Sequence, residues 1–372
     1  MSTTPPDPPQ PPSPLELVRA AVLAPSPDNN QPWRFASRGD QLLVYLAAED
    51  ALPSDVNSMF DLMGVGAAIE NTAIAARKRG CEARVECNFG PEGSTGDRTR
   101  RLAATLDFVP GAQPDPLEAH LAARCTNRKL YSTEPVAEKS LSKLTEAAAA
   151  FPEVRLDWIA DRPRICEFAR IVKQSDRFRF EYRPFHKEIY RQLRFSAKEA
   201  ERTGDGLDVR TMELPPGTGL LLRLLRPWPV MRFLNWSRLG RLLTLPSLLS
   251  VRRSGALGAL SLPEPTPEGF LRGGQAFQRI WLAAQAEGLA LQPLGSLAVF
   301  IGQMEQLRGR NLTAAHQRLS DRLGQWVRRL VPSIEDRTLL MLFRLGDASP
   351  PSVRALRRPA EVVPDVQKEK RP

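Results

Sequence analysis

A chain of 372 residues with 42% hydrophobic side chains is long enough to bury one large core or two ordinary ones, which excludes a disordered or fibrous protein. Its net charge of +10 favours nucleic acid, membrane or anionic small molecules as partners without choosing a fold. Four dispersed cysteines (Cys81, Cys87, Cys125, Cys166) argue against a secreted disulfide scaffold and for a reducing, cytoplasmic setting; three scattered histidines (His120, His186, His316) argue against a metal site.

Residues 1–14, "MSTTPPDPPQPPSP", lack the basic and apolar regions of a signal peptide and read as a disordered proline-rich arm. An amphipathic helix, "LELVRAAVLA", follows and runs into "APSPDNNQPWRF", where Ser26, Asp28, Asn29, Asn30 and Gln31 crowd between two prolines and stop against Trp33. An Asx-type helix stop accounts for Ser26 and Asp28. It leaves the amides Asn29 and Gln31 unexplained, and directed hydrogen bonds to a flat heterocycle are the competing reading. Next come a strand, "QLLVYLA", a helix, "GAAIENTAIAARKRG" (Gly66 to Gly80), and two further strands, "CEARVECNF" and "LAATLDFV".

The pattern then begins again. "LEAHLAARCTNRKLYS" is a short helix entering a basic turn at Arg124, Thr126, Asn127 and Arg128; it is either a solvated loop or a phosphate site, since two guanidinium forks flanking a hydroxyl suit a phosphate monoester. "LSKLTEAAAA" matches the first helix, and "FPEVRLDW" stands where the amide cluster stood. "GQAFQRIWLAAQAEG" (Gly274 to Gly288) aligns without a gap on the helix beginning at Gly66. "LAVFI" reads as a strand after a short turn, "TLLMLFRLG" as another, and "SVRALRRP" adds Arg354, Arg357 and Arg358. The expected organisation is α+β: two related halves, 15–114 and 115–362, packed like the subunits of a dimer, with a disordered tail at 363–372.

Between the matched parts lies a region at about 160–265 without a counterpart. Within it, residues 218–251 are leucine-rich and carry Arg223, Arg226, Arg232, Arg238 and Arg241 among Trp228, Phe233 and Trp236. Its uncharged run falls short of the roughly 20 residues a spanning helix needs. Three readings stand open: a peripheral membrane surface, a lid over a pocket, or packing against the body.

The order of these motifs resembles the FMN-dependent nitroreductase family, in the internally duplicated, actinobacterial form. The likeness rests on "RCTNRKLY", "APSPDNNQPWRF", the two Ala-Ala helices, "GLALQPLG" (Gly288 to Gly295) and "RLGDASPP" with the later "RRP", and covers about 15–110, 118–150 and 265–363. It implies a nitroreductase-like fold with FMN between the halves. Arg124, Thr126, Asn127 and Arg128, joined by Arg357 or Arg358, would hold the phosphate and ribityl chain. Ser26, Asn29 and Gln31 would reach across from the first half, and Pro293, Leu294, Gly295 and Ser296 would present backbone N–H groups to the ring. Because each part occurs once, it implies one FMN per chain and a monomer built as a pseudo-dimer. NAD(P)H would donate hydride to the flavin and a quinone, nitroaromatic or other small flat acceptor would receive it, with no obligatory catalytic side chain. The alternative is a flavin-sequestering protein whose middle region covers the ring. A basic protein without cofactor is a third reading, but no nucleic-acid motif supports a nucleic-acid partner.

Overall fold

The computed structural model describes residues 12–47, 49, 51–89 and 100–364. Ser13 caps the first helix by accepting from the N–H of Glu16, and Pro14 opens it where a missing N–H costs nothing. The chain runs through α1 (Pro14–Ala21), β1 (Trp33–Arg38), β2 (Gln41–Ala47), α2 (Met59–Lys78), β3 (Cys81–Cys87) and β4 (Arg100–Pro110). It continues with α3 (Glu138–Ala147), β5 (Arg155–Ile159), α4 (Arg162–Glu181), α5 (Arg183–Gln192), β6 (Leu193–Arg194), α6 (Ala197–Thr203), β7 (Leu207–Asp208), α7 (Thr218–Leu225), α8 (Trp228–Trp236) and α9 (Leu245–Arg252). Then come β8 (Ala256–Leu262), α10 (Pro267–Ala286), β9 (Ala290–Pro293), α11 (Ser296–Glu305), α12 (Ala314–Leu330), β10 (Thr338–Gly346) and β11 (Val363–Pro364). The expected α+β class is what the structure has.

Two sheets carry the core. One has the order β11-β1-β2-β4-β3 and the other β5-β8-β10-β9; all pairings are antiparallel except that of β11 with β1. Without β11, both follow one plan, with strands in the order first, second, fourth, third and a long helix between the second and third. In the first sheet, β1 and β2 form a hairpin around Gly39, whose φ of 56° suits the turn. In the second sheet, the region from α4 to α9 is inserted at the corresponding hairpin. The stretch 160–265 is therefore not one body: residues 162–252 are mainly helical, with the short parallel pair β6–β7 among the helices, whereas β8, all of whose residues are buried, belongs to the sheet.

The helices α2 and α10 cross at the centre. Small residues let their backbones touch: a Cβ on Gly66 would lie 1.9 Å from the carbonyl oxygen of Leu271, and one on Gly274 would lie 2.0 Å from that of Met63. The contact is reciprocal, because Leu271 precedes Gly274 by the same three positions that separate Met63 from Gly66. The polar pairs obey the same exchange. Arg279 donates to Glu70 at 2.8 Å, and Gln278 donates to Asn71 at 2.6 Å. Each half also ties its own leading helix, Asn71 donating to the Ala20 carbonyl and Arg279 to that of Ala147. Both helices end on a left-handed glycine, Gly80 (φ 74°) and Gly288 (φ 71°).

Two sequence expectations differ from the structure here. "LAVFI" is helical, within α11, and the strand preceding it is β9; a short apolar run buried all round shows no period to distinguish strand from helix. The proline-rich arm and the tail lie mostly outside the described residues, but Pro14 begins α1 and Val363–Pro364 adds a parallel strand to the first sheet.

Candidate functional site

The turn after α1 departs most from ordinary backbone. Asp28, Asn29 and Gln31 have φ of 45°, 59° and 54°, a left-handed conformation that costs non-glycine residues free energy and that Asn tolerates better than Gln. Neighbouring groups hold it. Ser26 Oγ accepts from Gln31 N at 3.0 Å. The Asn29 amide donates to the carbonyls of Gly206 (3.2 Å) and Leu356 (3.0 Å). The Gln31 amide donates to Gly204 O (2.9 Å), and its Oε1 accepts from Arg358 N (2.9 Å). Asn29 and Gln31 thus clamp three distant segments together: their own turn, the Gly204–Gly206 loop and the strap that follows β10. Their donors, expected to face a ligand, are taken by the chain's own carbonyls. "TGDG" (Thr203 to Gly206) carries a readable turn signal, but nothing local says what it meets.

On this clamp a cationic cluster assembles. Arg124 is 3% exposed, donates to Leu23 O at 2.9 Å and lies 4.5 Å over the Trp281 ring. Arg357 donates to Ala24 O, the next carbonyl along, at 3.2 Å, and to Asn29 Oδ1 at 2.8 Å. Arg354 donates to the carbonyls of Ala122 and Arg124. Among the described residues none of the three forms an ion pair, and the Nε groups of Arg124 and Arg357 are buried without an acceptor. The cost shows in their proton affinity: burial, reinforced by the charges of Arg357 and Arg354, lowers Arg124 to about 9, and burial with Arg354 beside it lowers Arg357 to about 10. Buried cations without counter-charge are unfavourable unless an anion joins them.

The structure separates the arginines that the sequence left together. Arg357 turns towards Arg124, whereas Arg358 pairs with Asp205 at 2.6 Å. Arg128 donates to Thr211 O at 3.2 Å; burial lowers its pKa and the charge of Asp28 opposes that shift. Thr126 lies between the arginines, partly buried. Asn127 is spent on the fold, its N–H going to Leu291 O and its amide to Ser349 O.

The turn from Pro293 to Ser296 leaves β9 and enters α11. The Leu294 N–H donates to Leu342 O at 2.7 Å, so it is not free for a ligand. Gly295 packs against the Phe60 ring, and α11 has no side-chain cap. Ser296 Oγ donates to Asp176 of α4 at 2.7 Å and lies near Ser175. The inserted region therefore sits on this turn and sets a carboxylate by the electropositive end of α11. No local signal in the sequence marks Asp176 for this place.

Carboxyl groups gather on the other flank. Asp55 accepts from the N–H groups of Phe60 and Asp61 at 2.9 Å each, closing the first turn of α2. Burial, opposed by those N–H groups and reinforced by Glu188, raises its pKa from 3.8 to about 7. Glu188, bonded to Ser54, is itself raised by burial, with the charge of Asp28 adding to the shift. Because the folded-state pKa of Asp55 exceeds the unfolded one, the stability it contributes is complete below about pH 4 and is lost as pH rises through about 7. Asp55→Asn is expected to flatten this decline and gain up to about 4 kcal/mol on the parent between about pH 4 and pH 8. Denaturant unfolding at both pH values measures the difference, and a gap that does not change with pH refutes the assignment.

The fold and site define an α+β chain with an uncompensated cationic cradle where its two sheets' elements meet. No family model matches the chain. It is 30% identical over 352 residues to an uncharacterised protein of Mycobacterium tuberculosis strain CDC 1551, covering 94% of this chain and 48% of that protein. It is 28% identical over 178 residues to "Putative NAD(P)H nitroreductase acg" of Mycobacterium tuberculosis, covering 46% of this chain and 51% of that protein. The chain thus spans about half the length of the curated relatives it matches. Loose structural likenesses include the FMN-dependent nitroreductase NfnB of Mycobacterium smegmatis in complex with NADPH (18% identity, TM-score 0.34, 62% of this chain and 87% of that one). Another is an FMN-dependent nitroreductase of Clostridium difficile (14%, TM-score 0.37, 66% and 97%). In sequence, then, about half of the chain is similar to a mycobacterial protein named as a putative NAD(P)H nitroreductase.

Proposed function

We propose that the chain is an FMN-dependent oxidoreductase that takes hydride from NAD(P)H and reduces a small flat acceptor such as a quinone or nitroaromatic. One observation carries this reading: buried Arg124 and half-buried Arg357, with the exposed Arg354 beside them, form a cationic cluster with two buried, acceptor-less N–H groups and no carboxylate partner among the described residues. A phosphate monoester supplies what the cluster lacks, a compact double charge with several acceptor oxygens. The three arginines would hold the phosphate, with Thr126 and Arg128 next to them; Gly295 and Ser296, at the uncapped start of α11, are the backbone donors left for the ring. When bound, FMN supplies the hydride chemistry, and the chain supplies orientation and charge.

The arrangement is read as two fused halves holding one flavin. Supporting it are the shared strand order of the two sheets, the reciprocal contacts of α2 and α10, and the origin of the cradle's parts in both halves.

A second reading is a non-catalytic flavin-holding protein, favoured by the contact of Asp176 and Ser175 with Ser296, which lays α4 over the turn meant for the ring. One spectrum separates the two readings. Protein loaded with FMN and desalted is expected to keep a flavin spectrum that bleaches anaerobically with NADPH or NADH. A retained spectrum that neither nucleotide bleaches makes the protein a flavin holder, and loss of all flavin on desalting rejects both readings.

A further inference from the structure

From Leu214 to Pro263 the sequence has no aspartate or glutamate, and it carries seven arginines. The same stretch holds an unusual surface. Large apolar side chains stand in solvent at Leu220, Leu221 and Leu224 of α7, Val230, Phe233 and Trp236 of α8, and Leu239, Leu242, Leu245 and Leu249 beyond. Trp236 is 79% exposed and Leu220 64%. Outside this stretch, exposed large apolar residues are few and scattered among the described residues: Leu15, Leu130, Leu356 and Val363. A concentration of this kind marks an interaction surface rather than ordinary surface composition.

These helices are not short of a core. Their inner sides already pack: Leu225 and Met231 are buried with Tyr190 and Leu193, against Trp228, Leu234 and Leu243. The outward leucines and aromatics are a surplus beyond what the fold buries. Interleaved with them, Arg223, Arg226, Arg232, Arg238 and Arg241 are all exposed, and among the described residues none forms an ion pair. Phe233 and Trp236 sit together, ring centroids 5.9 Å apart, at the end of α8. No helix of the described residues is long and apolar enough to cross a membrane.

We infer that the face formed by α7, α8 and the segment leading into α9 docks onto an anionic lipid bilayer. Leucines, a tryptophan and a phenylalanine enter the boundary between headgroups and acyl chains, while the arginines meet lipid phosphates. Charge decides against a second copy of the chain as occupant, because two such faces would press two sets of unpaired arginines together. The apolar surplus decides against nucleic acid, which offers phosphates but no hydrocarbon for the leucines. The inference rests on none of the flavin reading.

The full chain is mixed with vesicles of phosphatidylcholine alone or with phosphatidylglycerol added, and binding is read by flotation and by quenching of Trp236 by brominated acyl chains. Binding to the anionic vesicles with quenching is expected, weaker on phosphatidylcholine and weaker again as salt shortens the screening length. Replacing Arg232 and Arg238 by Gln is expected to weaken binding about 30-fold, at about fivefold per arginine. Leu220→Ser with Leu224→Ser is expected to lose at least about tenfold. Both pairs are exposed, so circular dichroism and melting temperature should stay those of the parent. No binding to anionic vesicles overturns the inference. So does binding that the two serines leave unchanged, or equally tight binding to a DNA oligonucleotide. A dimer that the same substitutions dissociate, without vesicle binding, assigns the face to a second copy and also overturns it.

Discussion

Gly274→Ala is expected to cost about 3–5 kcal/mol, enough to leave little folded protein at physiological temperature. The added Cβ would lie 2.0 Å from the carbonyl oxygen of Met63 and 2.6 Å from its carbonyl carbon and Cα. All three are backbone atoms of a helix buried almost all round, so no side chain can swing away; α2 and α10 must separate. Separation also strains the pairs of Arg279 with Glu70 and of Gln278 with Asn71. Gly66→Ala should behave alike, because its Cβ meets the Leu271 carbonyl at 1.9 Å. Gly302→Ala is the control. It too is helical and buried, but its nearest neighbour is the Gln306 side chain at 3.6 Å, so it should be neutral or stabilising by up to about 1 kcal/mol. Urea unfolding of the three variants checks the contrast. Equal effects at Gly274 and Gly302 would show that helix propensity, not close crossing, governs these positions.

Replacing Arg124 and Arg357 together by methionine is expected to weaken FMN binding about 10³-fold, at about 2 kcal/mol for each charge-assisted contact removed. The sign of the accompanying stability change makes the result specific. Arg124 is buried and Arg357 half-buried with its Nε covered; they repel each other and are held mainly by carbonyl oxygens, so an apolar side chain of similar length should leave the flavin-free protein as stable or more so. A structural role predicts the reverse, a lower melting temperature with binding lost only through unfolding. Equilibrium dialysis against FMN and the melting temperature of the flavin-free variant read the two quantities separately. Full retention of FMN would place the phosphate elsewhere. Arg358→Met is a useful contrast, since that guanidinium already pairs with Asp205 and its loss should change binding far less.

What the sequence revealed, and what it hid, follows from distance along the chain. The helix signals were local: Ser13 and Pro14 start α1, and Gly80 and Gly288 stop α2 and α10. The alternation in "QLLVYLA" sufficed for β2 because its register is a period of two. The second hairpin was hidden because the inserted helices separate β5 from β8 by nearly a hundred residues, and "LAVFI" because burial on every side erases period. The candidate site divided in the same way. Residue type and spacing marked Arg124 with Arg128, and Arg357 with Arg354 and Arg358, as basic clusters, without choosing between a solvated loop and a phosphate site. That Arg124 and Arg357 lack counter-charge among the described residues while Arg358 has Asp205 was not readable, for charge compensation is a property of three-dimensional neighbours. Nor did the amides disclose their partners: Asn29 bonds to Gly206 and Leu356, which lie 177 and 327 positions away.

The strap that returns from β10 to pair Val363 with Ala36 bears on the order of events during synthesis. Asn29 leaves the ribosome early and Arg357 comes 328 residues later, so the cradle cannot close before Arg357 has emerged. The first sheet has its β1–β4 strands long before that, but its outer edge along β1 stays open until translation reaches β11. A polypeptide that has not yet exposed this strap therefore lacks the cradle proposed to hold an anion, and gains it only when the final stretch of its described residues emerges.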